Sequence, residues 1–102
     1  MGKISLDDEI IEESIEYYGE SMQKVVCMEE CAELAQAVAK VIRYPESIIS
    51  RAHLAEEMAD VAICLRMLQE MCGINEEELQ TWIRHKQERM KERMREGKWE
   101  EH

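Results

Sequence analysis

The sequence predicts an all-α protein, a four-helix bundle built from one domain that spans residues 1–102. One proline and four glycines in 102 residues leave little material for turns, which favours long helices with short connections. Hydrophobic residues make up 45% of the chain, but only 5% are aromatic and phenylalanine is absent, so the core must be aliphatic and rich in methionine. Apolar residues also recur at steps of three and four over long stretches, the spacing of one helix face.

The first two helices are separated by a glycine. Helix 1 is predicted from about Leu6 to Tyr18, with Ser5 as its cap and three acidic residues in its first turn, where the helix dipole favours negative charge. Gly19 interrupts the helical pattern. We expect the second helix to begin at Ser21 and to continue to about Arg43.

A proline and a glycine divide the rest of the chain. Pro45 ends the second helix, because the residue before a proline avoids helical geometry. The third helix begins near Ser50 and ends at Gly73, a residue suited to a left-handed stop. Asn75 is the expected cap of the fourth helix, which runs from Glu76 towards Glu96.

Two carboxylates of the second helix occupy positions that should be apolar. Glu30 and Glu33 fall in line with Val26, Ala37 and Val41, the residues that an amphipathic helix would bury. A single Glu pair at this spacing is common on solvated helix faces, so the location in the apolar register is the informative feature.

The third helix repeats this feature, because Glu57 and Asp60 are three residues apart and interrupt its apolar stripe. A short connection makes the second and third helices antiparallel neighbours, so both pairs should meet in one half-buried patch. Buried carboxylates that repel one another either become protonated or bind cations. With oxygen ligands only, the expected ion is Mg²⁺, with Mn²⁺ as a possible substitute.

The charge distribution excludes some partners. Residues 1–83 hold 6 Lys/Arg against 18 Asp/Glu, whereas residues 84–102 hold 7 against 5. An acidic body with a net charge of −10 repels nucleic-acid backbone, so a DNA or RNA polymer is not an expected partner. The basic tail fits either a solvated helix with intrahelical ion pairs or a surface that binds a small anion.

The cysteines and the absence of long apolar runs predict a cytoplasmic protein. No stretch reaches the 18 apolar residues of a membrane span. Four cysteines without a CxxC pair fit buried, reduced thiols. The alternative is a soft-metal site in which Cys27 and Cys31, one helical turn apart, join Cys64 and His53.

The sequence around the carboxylates resembles that of a known protein family. Glu29-Glu30-Cys31-Ala32-Glu33 reads EExxE, and Glu57-Met58-Ala59-Asp60 reads ExxD after 23 intervening residues. These motifs, in "EECAELAQAVAK" and "EEMADVAICLRML", resemble those of the all-α nucleoside triphosphate pyrophosphohydrolases, the MazG-like proteins. The resemblance extends from about Tyr18 to Arg93. It implies Mg²⁺-dependent hydrolysis of a (d)NTP to the monophosphate and pyrophosphate.

The resemblance also implies roles for individual residues. The metal ligands would be Glu30, Glu33, Glu57 and Asp60. Glu29 would contact the metal, orient the attacking water or hold the other ligands in position without contacting the metal. The family often carries a Lys and an Arg in its last helix, which assigns the phosphates to Lys86 and Arg89, with Arg93 as a third candidate. Lys40, one to two turns beyond Glu33, is either a further phosphate contact or an exposed lysine. The candidates for binding the base are Gln23, which would hydrogen-bond to it, and Tyr18 and Trp82, which would stack on it. The alternative is that Gln23 is a surface residue and that the two aromatic residues pack within the protein.

Short single-domain members of the family imply a homo-oligomer, a tetramer in preference to a dimer. The chain has one motif set and lacks the extra helices of the dimeric dUTPases, so neither a two-domain MazG nor a dUTP-specific enzyme is expected. The competing interpretation is a non-catalytic helical-bundle protein, regulatory or nucleotide-binding, whose acidic seam binds a metal without turnover.

Overall fold

The computed structural model describes residues 3–97 and contains four α-helices over that range, with no strand. They are α1 (Asp8–Tyr18), α2 (Glu20–Arg43), α3 (Ile48–Cys72) and α4 (Glu76–Glu96). The all-α class and the number of helices are therefore confirmed. The boundaries differ from the predicted ones by no more than two residues, because both ends of a helix are the least determined part of its sequence pattern.

Capping side chains explain where the helices begin. Asp7, rather than the expected Ser5, caps α1: its carboxylate accepts hydrogen bonds from the backbone N–H of Glu9 at 3.1 Å and Ile10 at 3.3 Å. Ser47 caps α3 by accepting from the N–H of Ser50 at 3.1 Å, which starts that helix earlier than predicted.

Glycine and asparagine define the connection between α3 and α4. Gly73 adopts a left-handed conformation with φ of 66°, and its N–H donates to the carbonyl of Gln69. Asn75 then caps α4 by accepting from the N–H of Glu78 at 2.8 Å. Both roles were expected from the sequence.

Helices α2 and α3 form an antiparallel pair, and α1 packs across one end of it. Cys27 of α2 contacts Cys64 of α3, its Sγ donating to the Cys64 carbonyl at 3.6 Å. Cys27, Cys64, Ile11 and Met67 form the core cluster, and Ala37 of α2 is also buried. This small core agrees with the expected lack of aromatic packing and places α1 over the α3 side chain of Met67.

Helix α4 does not join the other three. Apart from contacts of Glu76 at its start with Arg66 and Gln69, α4 packs against no other helix within residues 3–97. The radius of gyration is 16.2 Å, against about 13 Å for a packed domain of this length. The expectation of a four-helix bundle within one chain is therefore wrong. Helix α4 does have an apolar side, but the periodicity of its apolar residues does not specify which surface covers that side.

None of the helices in the described part of the chain combines the length and apolar character needed to cross a membrane. Large apolar side chains are nevertheless exposed on every helix, among them Met28 at 72% and Ile48 at 84%. The surface is therefore acidic in overall charge yet apolar over wide areas.

Candidate metal centre

The four carboxylates that the sequence singled out meet between α2 and α3. One carboxylate oxygen each from Glu30, Glu33 and Glu57 lies within 4.8 Å of the other two. Asp60 lies beside Glu30, close enough to affect its ionisation directly. Both i, i+3 pairs therefore contribute to one cluster, as the antiparallel pairing of the helices requires.

The cluster is partly removed from water. Glu57 is only 4% exposed and Glu30 is half-buried, whereas Glu33 is exposed and forms the open side of the cluster. Glu30 Oε2 and Glu57 Oε2 are shielded from solvent and have no hydrogen-bond partner among residues 3–97. Buried polar atoms without partners are rare in proteins, and a site for a ligand is one of their ordinary explanations.

Burial and neighbouring charge hold a proton in the cluster. Burial, first, and then the adjacent carboxyl group of Asp60 raise the pKa of Glu30 from 4.5 to about 7. Smaller contributions come from the charges of Glu33 and Glu57. Near neutral pH the cluster without a metal therefore retains a proton in part of the molecules, and a cation would replace that proton.

A histidine extends the cluster along α3. His53 Nε2 lies 3.8 Å from a carboxylate oxygen of Glu57, and His53 Nδ1 lies 3.9 Å from one of Glu56. These three residues form the second group of close potential ligands within residues 3–97. His53 precedes Glu57 by one helical turn, which explains why their side chains are close. Glu56 was missed, although its position three residues after His53 was the available signal.

Two predicted site residues of α2 lie outside the cluster. Glu29 is exposed and is not among the grouped ligands, so its role as a metal contact or water-orienting group stays a prediction. Lys40 is also exposed, two turns after Glu33 on the same side of the helix. It therefore lies on the open side of the cluster.

Within one chain, the fold does not place the phosphate-binding candidates of α4 near the carboxylates. Lys86 and Arg89 are exposed, and Arg93 is half-buried. Because α4 packs against none of the other described helices, these side chains do not line the cluster formed by α2 and α3. Their assignment to the phosphates remains a prediction that requires a different arrangement of chains.

The base-binding candidates are likewise separated. Gln23 is buried, and its side-chain amide donates to the Ser14 carbonyl of α1 at 3.4 Å. Tyr18 is 61% exposed and packs edge-to-face on Tyr17. Trp82 lies on α4 against His85. The structure thus gives Gln23 a packing contact with α1 and does not gather the three side chains around one base.

The cysteines do not form the soft-metal site considered from the sequence. None of the grouped potential ligands in residues 3–97 is a cysteine, and all four thiols are free. Cys27 and Cys64 are buried as expected, and burial raises the pKa of Cys64 to about 12. The expectation of burial was wrong for Cys31 and Cys72, which are exposed.

Comparison of the chain with protein-family models, curated proteins and solved structures found no match. A functional proposal therefore rests on the site and on the sequence motifs that form it.

Proposed function

We propose that this protein is a nucleoside triphosphate pyrophosphohydrolase that hydrolyses (d)NTPs to the nucleoside monophosphate and pyrophosphate with Mg²⁺. The observation that carries the proposal is the meeting of Glu30, Glu33, Glu57 and Asp60 in one half-buried cluster, two of whose oxygens have no hydrogen-bond partner in the part of the chain that the structure describes. The EExxE and ExxD motifs, which resemble those of MazG-like enzymes, support the same activity.

The donor set fits a hard divalent cation. All four side chains offer carboxylate oxygens, which Mg²⁺ prefers, and Mn²⁺ accepts the same ligands. Glu57, being buried, has no access to water that would satisfy its free oxygen. Glu33 is exposed and leaves the cluster open on one side, where a phosphate could approach. Mg²⁺, when bound, would neutralise triphosphate charge and promote attack by water at phosphorus.

Apart from the metal, the reaction needs only water and side chains of the protein. Water forms the new phosphorus–oxygen bond and the bond to the leaving phosphate oxygen breaks; attack at the α or the β phosphorus gives the same two products. Glu29, adjacent in sequence to Glu30 and exposed, is our candidate for holding the attacking water and accepting its proton. No covalent nucleophile is needed for this reaction.

Phosphate binding requires more than the single chain provides. Lys40 lies on the open side of the cluster and would contact phosphate oxygens directly. Lys86, Arg89 and Arg93 lie on α4, which does not pack beside the cluster of its own chain. We propose that α4 of another copy supplies them in a homo-oligomer, a tetramer in preference to a dimer. The free thiols suit the cytoplasm, where nucleotides are abundant.

A second function has one observation in its favour. The separation of α4 from the cluster would suit a regulatory protein that binds a metal or nucleotide without turning it over. The two functions differ in one measurable respect: a binding protein retains Mg²⁺ and nucleotide but releases no pyrophosphate.

The experiment is a pyrophosphate-release assay with canonical and damaged (d)NTPs, run with Mg²⁺ and with EDTA. Glu57→Gln should lower kcat by at least about 100-fold, because it removes a buried ligand, and EDTA should abolish release from the unchanged protein. Glu70→Gln, on the exposed surface of the same helix, is the matched control and should leave the rate unchanged. Binding of nucleotide without release from any substrate would instead establish the regulatory function.

A further inference from the structure

A histidine and two glutamates form a cluster on one face of α3, beside the four carboxylates. Residues three and four apart in a helix lie on the same face, so Glu56 and Glu57 both lie one turn after His53. One imidazole nitrogen and one oxygen from each carboxylate lie within 4.8 Å of one another. We call these three residues the histidine cluster. Of the groups of close potential ligands within residues 3–97, it is the one that contains a nitrogen ligand.

The contacts within the histidine cluster are too long to be hydrogen bonds. His53 Nε2 is 3.8 Å from an oxygen of Glu57, and His53 Nδ1 is 3.9 Å from an oxygen of Glu56, whereas an N–H···O hydrogen bond spans about 2.7–3.2 Å. A tetrahedral Zn²⁺ ion with bonds of about 2.0–2.2 Å holds its nitrogen and oxygen ligands roughly 3.3–3.6 Å apart. Small rotations of the exposed side chains of His53 and Glu56 would reach this spacing.

The carboxylate of Glu57 needs a partner that the described residues do not supply. Its side chain is 5% exposed, and its Oε2 has no hydrogen-bond partner among residues 3–97. A carboxylate is costly to bury unless hydrogen bonds or a cation compensate its charge. Glu57 belongs to the histidine cluster and to the four-carboxylate cluster alike. A cation in the histidine cluster would therefore compensate its charge even when the neighbouring cluster holds no ion.

The ligands of the histidine cluster favour a transition metal such as Zn²⁺ over Mg²⁺. Mg²⁺ prefers oxygen ligands and loses its bound water reluctantly, whereas Zn²⁺ accepts imidazole together with carboxylates. Two ligands four residues apart on one helix bind Zn²⁺ in the His-Glu-x-x-His motif, and His53 and Glu57 have the same separation. Three protein ligands on a helix that is open to solvent leave a fourth position for water.

The surroundings of the histidine cluster attract cations. The chain has a net charge of −10, and the other three carboxylates of the neighbouring cluster add negative potential close to Glu57. The side chains of His53 and Glu56 are 43% and 74% exposed, so an ion reaches them directly from solvent. Charge and access therefore both allow a cation to bind here.

His85 of α4 offers a comparison within the same chain. It is exposed and is followed by Glu88 three residues later, as His53 is followed by Glu56. The fourth position after His85 is Arg89 instead of a buried glutamate, and His85 belongs to neither group of close ligands in the described part of the chain. An exposed histidine beside one glutamate binds Zn²⁺ weakly at best. The difference between the two histidines thus measures what Glu57 adds.

We infer that His53, Glu56 and Glu57 form a second cation site, which takes Zn²⁺ or a similar transition metal and lies beside the proposed Mg²⁺ centre. His53 supplies the nitrogen ligand, Glu56 an exposed carboxylate and Glu57 a buried one that both sites share. This site goes beyond the proposed hydrolysis, and its occupancy does not require that any nucleotide is turned over.

The first test measures Zn²⁺ binding by isothermal titration calorimetry. A Cys31→Ser/Cys72→Ser background removes the exposed thiols, which would otherwise compete for the ion. His53→Gln and Glu56→Gln should each raise the dissociation constant for Zn²⁺ at least about tenfold, because each removes a protein ligand. His85→Gln is the matched control and should change it by no more than about threefold, because it removes no ligand of this site. The three replaced residues are exposed, so the variants should keep their fold.

The second test follows the imidazole nitrogen resonances by NMR during a Zn²⁺ titration of the same background protein. The resonances of His53 should shift until one equivalent of Zn²⁺ is bound, and those of His85 should stay in place. The absence of Zn²⁺ binding, equal losses of affinity in His53→Gln and His85→Gln, or unshifted His53 resonances would each overturn the inference.

Mn²⁺ binding, measured by electron paramagnetic resonance, separates the two sites. His53→Gln and Glu56→Gln should change the dissociation constant for Mn²⁺ by no more than about threefold, because the four-carboxylate cluster keeps all its ligands. Glu33→Gln should weaken Mn²⁺ binding and leave the Zn²⁺-induced shift of His53 intact. If Mn²⁺ does not bind while Zn²⁺ behaves as expected, the proposed Mg²⁺ centre is excluded and the Zn²⁺ site is supported. If His53→Gln or Glu56→Gln abolishes Mn²⁺ binding as well, a separate Zn²⁺ site is excluded.

Discussion

Replacing Glu30 with glutamine should change how the stability of the protein depends on pH. The pKa of Glu30 is raised from 4.5 to about 7 by burial and by its carboxylate neighbours. The folded chain therefore holds this proton more tightly than the unfolded chain does. The stabilisation is complete below about pH 4.5 and is lost as the pH rises through about 7.

The size of the effect follows from the same difference in pKa. A difference of one in pKa corresponds to about 1.4 kcal/mol, so the full change would be about 3 kcal/mol. Glu30 is only half-buried, and solvent screens part of the interaction. We therefore expect the free energy of unfolding in EDTA to fall by roughly 1–2 kcal/mol between about pH 5 and about pH 8. Glu30→Gln cannot ionise and should lose less stability over this range.

The assay is denaturant unfolding at both pH values, in EDTA and in Mg²⁺, for the unchanged protein, Glu30→Gln and the control Glu70→Gln. Mg²⁺ should stabilise the unchanged protein more at the higher pH, where it no longer competes with the proton, and should stabilise Glu30→Gln less. If Glu30→Gln shows the same pH dependence as the unchanged protein, the carboxylates are not crowded and the reasoning fails.

Three further predictions concern other residues. Glu57→Gln should weaken Mn²⁺ binding at least about tenfold, measured by the loss of free-ion electron paramagnetic resonance signal, because it removes a buried ligand; unchanged binding would exclude Glu57 from the site. Lys86→Ala and Arg89→Ala should each raise KM for nucleotide about tenfold with little change in kcat if they bind the phosphates through another copy; unaltered kinetics in both would remove that assignment. Gly73→Ala should lower the free energy of unfolding by about 1 kcal/mol in thermal or denaturant unfolding, since the residue has a φ of 66°, and no loss would contradict the left-handed stop.

The local structure could be predicted well because its causes are local. Asn75 and Gly73 limit helices through hydrogen bonds to residues within one turn, and those signals are visible in the sequence. The cap of α1 was placed at Ser5 instead of Asp7 because both residue types accept the same bond. The meeting of the carboxylates was also predictable, since the short connection at Pro45 leaves α2 and α3 antiparallel neighbours.

The surroundings of these elements could not be predicted in the same way. The apolar positions of α4 indicated a buried face, yet no surface of the described chain covers it. The sequence left Gln23 either a base-binding candidate or a surface residue, but it is buried and its side-chain amide donates to the Ser14 carbonyl of the preceding helix. The spacing of residues along one helix contains no information about the distance to another.

The sequence by itself determined four helices and two carboxylate pairs in the apolar register of neighbouring helices. Each of these depends only on residue type and the fixed rotation of a helix. The tertiary structure decided that two oxygens of the cluster have no hydrogen-bond partner among residues 3–97, that the pKa of Glu30 is raised to about 7 and that α4 packs against no other helix of this range. These properties depend on distance and on exclusion of water, which arise only when helices pack against one another.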